Sequence, residues 1–411
     1  MREETTQSPP GAVTLRQRWS PQLLGKLLFA AGVLLIVRFG QWIPLPGLDI
    51  HELLTLLERR DLAPYGLIYT PDIISHVSIF ALGLWPFLYA WIAIQLLGGG
   101  TPPQGYTSFR RWLTLLIAVF MALQVTSDIT STTGLVREPG AFFGVVVVIT
   151  LSAGTMLLLW LGEQITKTGL CDGIWLIVAA EFIARVPTGA IEAWHMYLWG
   201  VIPLSRMLIL AVLLVSATVL IVLMVSATRR VPTVSLENGA EQRDTDLTLR
   251  LDYATIMPAV LASMVLAGAI AAIQKLHAKI GDQAFIIIAY LGPGQAIHLL
   301  IYAVSIVTLT FLITSRAASP QASIARLAED GRMIAECPKK EAEAHLRGIV
   351  SRMTIITATY LLTIGLLPEL LMRIAKTPLY LDGVSMMIVV IVMLDIQKRA
   401  TAQKAAGVGH V

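Results

Sequence analysis

Ten apolar runs of nearly bilayer-spanning length constrain this chain more than any other feature. A transmembrane α-helix needs about 20 consecutive apolar residues. The run at 78–97 is the clearest, because it contains no Asp, Glu, Lys or Arg. The other nine runs are 23–39, 112–127, 142–161, 173–184, 207–225, 256–273, 296–314, 355–371 and 384–394. The sequence therefore predicts an all-α polytopic membrane protein with about ten transmembrane helices.

The composition agrees with that class and excludes several others. The chain is 55% hydrophobic and 14% charged, with a mean hydropathy of +0.71. The sequence has no basic face with interleaved aromatic residues, so nothing in it indicates nucleic-acid binding. Cys171 and Cys337 both fall in loops assigned to the cytoplasm, so no disulfide is expected. The histidines are scattered and there is no nucleophile–base pair or phosphate loop, so we expect no metal, no cofactor and no catalytic residue.

The distribution of positive charge predicts the orientation. Lys and Arg concentrate in alternate loops, and an even number of spans puts both termini on one side, the cytoplasm. The N-terminus lacks a cleavable signal pattern. Two loops, about 227–252 and 316–352, are rich in charge and are expected to project into the cytoplasm, either as a solvated surface or as a docking surface. A helical pattern at 323–331 is consistent with a small projecting hairpin.

Two segments interrupt simple helical patterns. Pro86 falls inside the run at 78–97, where it removes a backbone donor and predicts a kinked helix. Gln95 adds an amide near the end of that run. The mixed segment at 51–77 is too short to span a bilayer and is expected to be a surface helix or a re-entrant element.

A series of short motifs in and between these runs resembles the motifs of one protein family. They are Ile43–Asp49 (Ile-Pro-Leu-Pro-Gly-Leu-Asp), Ser78–Gly83, Ile94–Leu97, Thr155–Thr166 (ending Gly-Glu-Gln-Ile-Thr), Arg229–Pro232, Thr255–Ala259, Leu291–Gln295, Leu366–Glu369 and Gly383–Ser385. Each resembles a motif of the SecY family, the pore subunit of the protein-translocation channel, and they occur in the family's order. The resemblance extends from about Leu23 to Leu394.

The resemblance implies an architecture. Two pseudo-symmetric five-helix halves, residues 23–200 and 201–397, would surround a central hourglass pore, with cytoplasmic tails at 1–22 and 398–411. A plug at about 62–76 would close the resting channel; it reads Tyr69-Thr70-Pro71-Asp72 where the family has a Ser-Gly-Gly turn. An apolar ring would close the pore, and its members, carried over by position, are Leu84, Leu88, Val178, Phe182, Val260 and Ile388.

The resemblance also implies two contact regions. A lateral gate would lie between the second and third spans and the seventh and eighth, with Tyr89, Gln95 and Asp252 at it. Contacts to a motor ATPase or ribosome would come from the long loops, at Arg229, Arg230, Arg332, Lys339 and Lys340. The family's loop-tip arginine is missing here, since the matching stretch is Ala335-Glu336-Cys337-Pro338-Lys339.

The function implied is that of a non-enzymatic protein-conducting channel in a bacterial-type inner membrane. Its partners would be SecE-like and SecG-like small subunits, the SecA ATPase or the ribosome, secretory and membrane proteins, and lipid. One alternative is a specialised or degenerate SecY-like exporter or scaffold with altered motor coupling. The other is a secondary transporter that uses Glu181 and Asp252 as coupling carboxylates; as a structural group, Glu181 would face the vestibule or pair with Arg185.

Overall fold

A computed structural model gives the fold of most of the chain. It describes residues 21–49, 51, 77–98, 106–131, 134–138, 140–226, 228–231, 233–237, 240–243, 247–250, 256–281, 283–292, 295–317, 332–334, 342–375 and 383–408. Several predictions fall outside these residues: the plug segment with Tyr69, Thr70, Pro71 and Asp72, the gate residue Asp252, the helical pattern at 323–331, and the loop tip with Lys339 and Lys340.

The described residues form eleven helices, and each of the ten predicted spans overlaps one of them. The additional helix is short (α8). The helices are α1 (Pro21–Gly40), α2 (Trp85–Gly98), α3 (Tyr106–Ser131), α4 (Ala141–Lys167), α5 (Gly173–Leu198), α6 (Leu204–Ser226), α7 (Met257–Ile280), α8 (Gln283–Leu291), α9 (Ala296–Ala317), α10 (Ala342–Ala375) and α11 (Gly383–Val408). Among the described residues, α1, α3, α4, α5, α6, α9 and α10 are long and apolar enough to cross a membrane, and α2 and α7 contain shorter apolar stretches.

The second span begins as turns rather than as helix, which corrects the predicted kink. The Ala81 N–H donates to the Ser78 carbonyl (3.0 Å) and the Gly83 N–H to the Phe80 carbonyl (2.8 Å). Gly83 has φ +52°, in the left-handed region that favours glycine. Helix α2 starts only at Trp85, so Pro86 lies in its first turn, where a backbone N–H would have no intrahelical acceptor.

The fifth span is longer than predicted. The run was expected to end at 184, before Arg185 and Pro187, but α5 continues to Leu198 with Pro187 inside it. A proline costs one backbone hydrogen bond in a helix interior. The helix nevertheless continues past Pro187 to Leu198, so the proline is not a helix end here.

The helix packing is pseudo-symmetric. In the N-terminal half the packed pairs are α1–α4, α1–α5, α2–α3, α3–α4 and α4–α5. Their counterparts in the C-terminal half are α6–α10, α6–α11, α7–α9, α9–α10 and α10–α11, while α8 packs on α7 and α9. Within the described part of the chain, the extensive contact between the halves is that of α5 with α11. The described part of the fold is therefore two halves with five long helices each, of which the C-terminal half also contains the short α8, and the halves are joined through α5 and α11.

The two ends of the bundle differ in charge. Arg110 and Arg111 lie in the first turns of α3 and Lys167 in the last turn of α4, and Arg111 pairs with Glu163 of α4. Lys26 on α1 lies near Gly169 at the same end, which is called here the basic end. At the opposite end the connections pack together, with an isolated bridge between Leu48 and Val136. Exposed tryptophans lie toward both ends, as membrane–water interfaces favour: Trp112 and Trp160 toward the basic end, and Trp42, Trp194 and Trp199 toward the opposite end.

Five short strands, missed by the all-α prediction, lie in the two long connections at the basic end. They are β1 (Thr228–Val231), β2 (Thr233–Glu237), β3 (Ala240–Arg243), β4 (Leu247–Arg250) and β5 (Arg332–Ile334). β1 pairs with β4, and β2 pairs antiparallel with both β3 and β5. The β2–β5 pairing joins the two loops, which the sequence had treated as separate projections.

Candidate pore constriction

The six positions predicted to form the ring come from four parts of the fold. Leu84 directly precedes α2, and Leu88 lies one turn later, its N–H donating to the Leu84 carbonyl (3.0 Å). The i, i+4 spacing places Val178 and Phe182 on one face of α5. The remaining two lie early in α7 (Val260) and in α11 (Ile388).

All six belong to one continuous cluster of apolar side chains. Five of them are buried, and Phe182 is partly buried and packs against the cluster. The cluster draws side chains from both halves. The structure thus brings the six into one apolar region, while their convergence on a pore axis stays a prediction.

Two glycines set how closely α5 and α11 approach their neighbours. Gly173 is the first residue of α5, and a Cβ there would overlap the Gly162 carbonyl oxygen of α4. Gly383 is the first residue of α11, and a Cβ there would overlap the Ile364 carbonyl oxygen of α10. The same close approach therefore fixes both helices, at equivalent positions of the two halves.

A polar junction links α5 to α11 at the basic end. The Asp172 carboxylate caps α5 by accepting from the Ile174 N–H (3.2 Å), and the Asp172 N–H donates to Asp395 Oδ2 (3.3 Å). Arg399 Nε donates to Asp395 Oδ1 (3.0 Å). Burial raises the pKa of the Asp172 carboxyl. Burial, with the nearby Asp395, raises the pKa of the Cys171 thiol to about 11, so this cysteine is a neutral thiol rather than a nucleophile.

A partly buried carboxylate lies beside the ring positions. Glu181 precedes Phe182, and its Oε1 lies 3.7 Å from where a Cβ on Gly83 would be, next to Leu84. The positive charges that act on it are those of Arg185 and of Arg38 on α1. The sequence predicted Arg185 from its i+4 spacing and missed Arg38, whose position at the end of an apolar run was the available signal.

A second buried polar pair was missed altogether. His298 Nε2 on α9 lies 3.2 Å from Glu369 Oε2 on α10, and His298 Nδ1 lies 2.7 Å from the Leu291 carbonyl oxygen. Each side chain interrupts an apolar run, which is the signal that would have singled them out. In the described residues no cluster of three or more His, Cys, Asp or Glu side chains is arranged to hold a metal ion.

The predicted gate residues are placed in part. Tyr89 on α2 is partly buried and packs against the main apolar cluster, and Gln95 lies in the last turn of α2. α2 packs on α3, and α7 packs on α9. Within the described residues these two helix pairs share no extensive backbone contact, and the boundary between them is called here the seam.

Three of the five predicted loop contacts lie in the small sheets, and Lys339 and Lys340 fall outside the described residues. Arg229 and Arg230 are in β1, and Arg332 is in β5, opposite Ser235 of β2. Because β2 follows β1 directly in the chain, these three arginines belong to one assembled loop region at the basic end.

Comparison with known proteins shows which family this chain belongs to. The SecY family model matches residues 78–397. The protein translocase subunit SecY of Escherichia coli strain K12 is 29% identical over 398 residues, covering 91% of this chain and 90% of that protein. The SecY subunit of Rickettsia bellii is 31% identical over 403 residues, covering 92% of each.

Solved structures agree on the fold. A SecY structure described for its plug domain, which stabilises the closed state and maintains a membrane seal, has a TM-score of 0.63 at 15% identity and covers 98% of this chain and 95% of that chain. Sec61 in the canine ribosome–channel complex has a TM-score of 0.60 at 14% identity, with the same coverage. With a family model that matches most of its length, this chain belongs to the SecY family.

Proposed function

We propose that this chain is the central pore subunit of a Sec-type protein translocation channel. It passes unfolded secretory proteins across the membrane and releases transmembrane segments laterally into lipid. The observation that carries this proposal is the match to the SecY family along residues 78–397, together with the two-half helix packing. The chain acts as a channel and performs no chemistry of its own.

The apolar side chains at the ring positions explain how such a pore stays sealed. A narrow hydrophobic constriction excludes water and so blocks ions. Leu84, Leu88, Val178, Phe182, Val260 and Ile388 supply only apolar side chains to it. A chain in transit replaces their mutual contacts with contacts to itself, so the seal persists during passage.

The seam between α2–α3 and α7–α9 supports the lateral exit. A transmembrane segment in the pore gains free energy by moving its apolar surface into lipid. Tyr89, Gln95 and Asp252 are the proposed polar residues at this gate. The α5–α11 junction at Asp172, Asp395 and Arg399 joins the halves, so opening of the seam leaves them connected there.

The basic end is the proposed cytoplasmic face of a bacterial-type inner membrane, with both termini on that side. Its positive charges support this orientation. SecE-like and SecG-like subunits complete the complex. A SecA ATPase or a ribosome docks on the joined loops, where Arg229, Arg230, Arg332, Lys339 and Lys340 supply positive charge.

Cross-linking of a stalled secretory chain tests the channel function. A photoreactive group placed at Leu84 or at Val260 is expected to give adducts with the stalled chain. The same group at Val215, an exposed position in the middle of α6, serves as the matched control and is expected to give none. An intact complex that yields no adduct at either ring position would show that the chain does not conduct polypeptides.

A specialised exporter with altered motor coupling is the second candidate. The observation in its favour is the loop tip Ala335-Glu336-Cys337-Pro338-Lys339, where lysine lacks the planar fork with which arginine binds carboxylates in two places. Complementation of a conditional SecY loss separates the two candidates. Growth indicates a general translocon, and adduct formation without growth indicates a specialised one.

A further inference from the structure

The C-terminal end of α5 carries an exposed aromatic surface that the channel function does not use. It consists of Trp194, His195, Tyr197, Leu198 and Trp199, and is called here the aromatic platform. Trp194 is 51% exposed, Leu198 60% and Trp199 75%. Two ring pairs order it: Trp194 with Tyr197, at 5.5 Å between centroids, and His195 with Trp199, at 5.8 Å.

A well-defined turn follows the platform. The Gly200 N–H donates to the Tyr197 carbonyl (3.0 Å) and the Val201 N–H to the Met196 carbonyl (3.0 Å). With Gly200 at φ +71°, these two bonds form a Schellman motif. The chain then enters α6 at Leu204, so the platform is rigidly attached to the covalent link between the two halves.

The length of α5 sets the depth of the platform. Its first residue, Gly173, follows the charged junction of Asp172, Asp395 and Arg399, which marks the basic-end interface. A hydrocarbon core of about 30 Å corresponds to about 20 helical residues. Trp194 comes 21 residues after Gly173. The platform therefore falls where the opposite membrane–water interface lies.

We propose that the aromatic platform is a membrane anchor that lies in the interfacial layer of the leaflet at the opposite end. Tryptophan and tyrosine favour this layer because their rings are apolar and their N–H and O–H groups reach water. His195 adds a polar group on the same exposed side. The anchor holds the α5–α6 connection at a fixed depth, so the two halves move about a joint that is tied to lipid.

The surroundings favour lipid over a protein partner as the occupant. The platform is continuous with α6, whose exposed apolar residues run along its whole length: Leu208, Val212, Val215, Val219 and Leu223. A helix so widely exposed and apolar faces lipid. The platform differs from it only in having amphipathic side chains, which is the change expected at the interface.

Site-directed spin labelling measures the depth directly. Labels are placed at Trp199→Cys, at Leu198→Cys (which keeps both tryptophans) and at two controls, Val215→Cys and Arg137→Cys, with Cys171 and Cys337 replaced by serine. The full chain, with the subunits that co-purify with it, is reconstituted in phosphatidylcholine–phosphatidylglycerol vesicles. Collision rates with oxygen and with a water-soluble nickel chelate then give the depth of each label.

The two platform labels are expected about 15 Å from the bilayer centre, at the edge of the hydrocarbon core. The Val215 label is expected within about 5 Å of the centre, because it lies 11 residues into α6, and the Arg137 label in water. Platform labels as open to the nickel chelate as Arg137 would overturn the proposal, and so would labels shielded from both collision partners, which would mean a protein cover. A Val215 label that is not deep would instead contradict the membrane fold on which the proposed function rests.

Discussion

Helices α5 and α11 hold equivalent places in the two halves and share one register. Both are 26 residues long and begin with a glycine packed against the preceding helix. A predicted ring residue lies five positions later in each, at Val178 and at Ile388, and α5 has a second one at Phe182. Beyond that point they diverge: Glu181 of α5 corresponds to Ile391 of α11, and the aromatic platform corresponds to a polar, basic end.

The contrast between similar first turns and dissimilar later turns shows where the fold constrains the sequence of these two helices. The first two turns pack on a neighbouring helix and on the main apolar cluster, so both helices begin with glycine and continue with mostly apolar residues there. The later turns meet different surroundings: a carboxylate with two arginines and the proposed lipid interface in α5, and the Asp395–Arg399 pair in α11. The predictions below test that division.

The largest effect is expected from the shared glycines. Gly383→Ala introduces a Cβ that overlaps the Ile364 carbonyl, and Gly173→Ala does the same at Gly162. Because backbone atoms must move apart, each change should lower the free energy of unfolding by about 3 kcal/mol, at the upper end of overpacking effects. Thermal unfolding of the purified complex in detergent measures this loss.

Gly268→Ala in α7 is the matched control, because nothing lies within 4 Å of a Cβ at that position. It should leave the midpoint of thermal unfolding unchanged or raise it slightly, since alanine is the better helix former. If all three substitutions changed the midpoint equally, close packing of the first glycine would not be the feature that α5 and α11 share.

A middle-sized effect is expected where the two helices first differ. Glu181→Ile gives α5 the residue of α11 but removes the carboxylate that acts on the positive charges of Arg38 and Arg185. The loss should be about 2 kcal/mol, below the 3–5 kcal/mol of a fully buried pair because Glu181 is only partly buried. The midpoint of thermal unfolding again measures it.

The double variant Glu181→Ile with Arg185→Leu should be more stable than the two separate losses predict, because it removes the carboxylate together with one of the two positive charges that act on it. Additive losses, or a stable single variant, would mean that the carboxylate is no counter-ion for these arginines.

The membrane architecture was largely predictable because bilayer thickness imposes a length that apolar runs record directly. Local breaks in the helices were not predictable, because an apolar run has the same hydropathy whether or not all of it is helical. At 77–84 the run forms turns, and the decisive feature is the positive φ of Gly83. The β2–β5 pairing was equally hidden, because it joins residues about a hundred positions apart, Ser235 and Arg332.

The candidate site was predictable only through family motifs. Apolar side chains dominate every span, so composition alone cannot separate Leu84 or Ile388 from other buried residues. Arg38 acts electrostatically on Glu181, and His298 pairs with Glu369, only because folding brings different helices together, so no sequence spacing reveals either relation.

The smallest effect is expected at the junction between α5 and α11, and it depends on pH. Burial raises the pKa of Asp172 above its ordinary value of 3.8, so the folded chain binds this proton more readily than the unfolded chain does. The Asp172 carboxyl therefore lowers the free energy of unfolding as the pH rises from 3.8 to the pKa of the folded chain, and has no further effect above it. Asp172→Asn keeps the cap on the Ile174 N–H but should remove this part of the slope, and at neutral pH it should be at least as stable as the parent. Thermal unfolding of both proteins across this pH range tests the point. An unchanged slope would assign the pH dependence to other carboxylates and leave the junction a purely geometric contact between the halves.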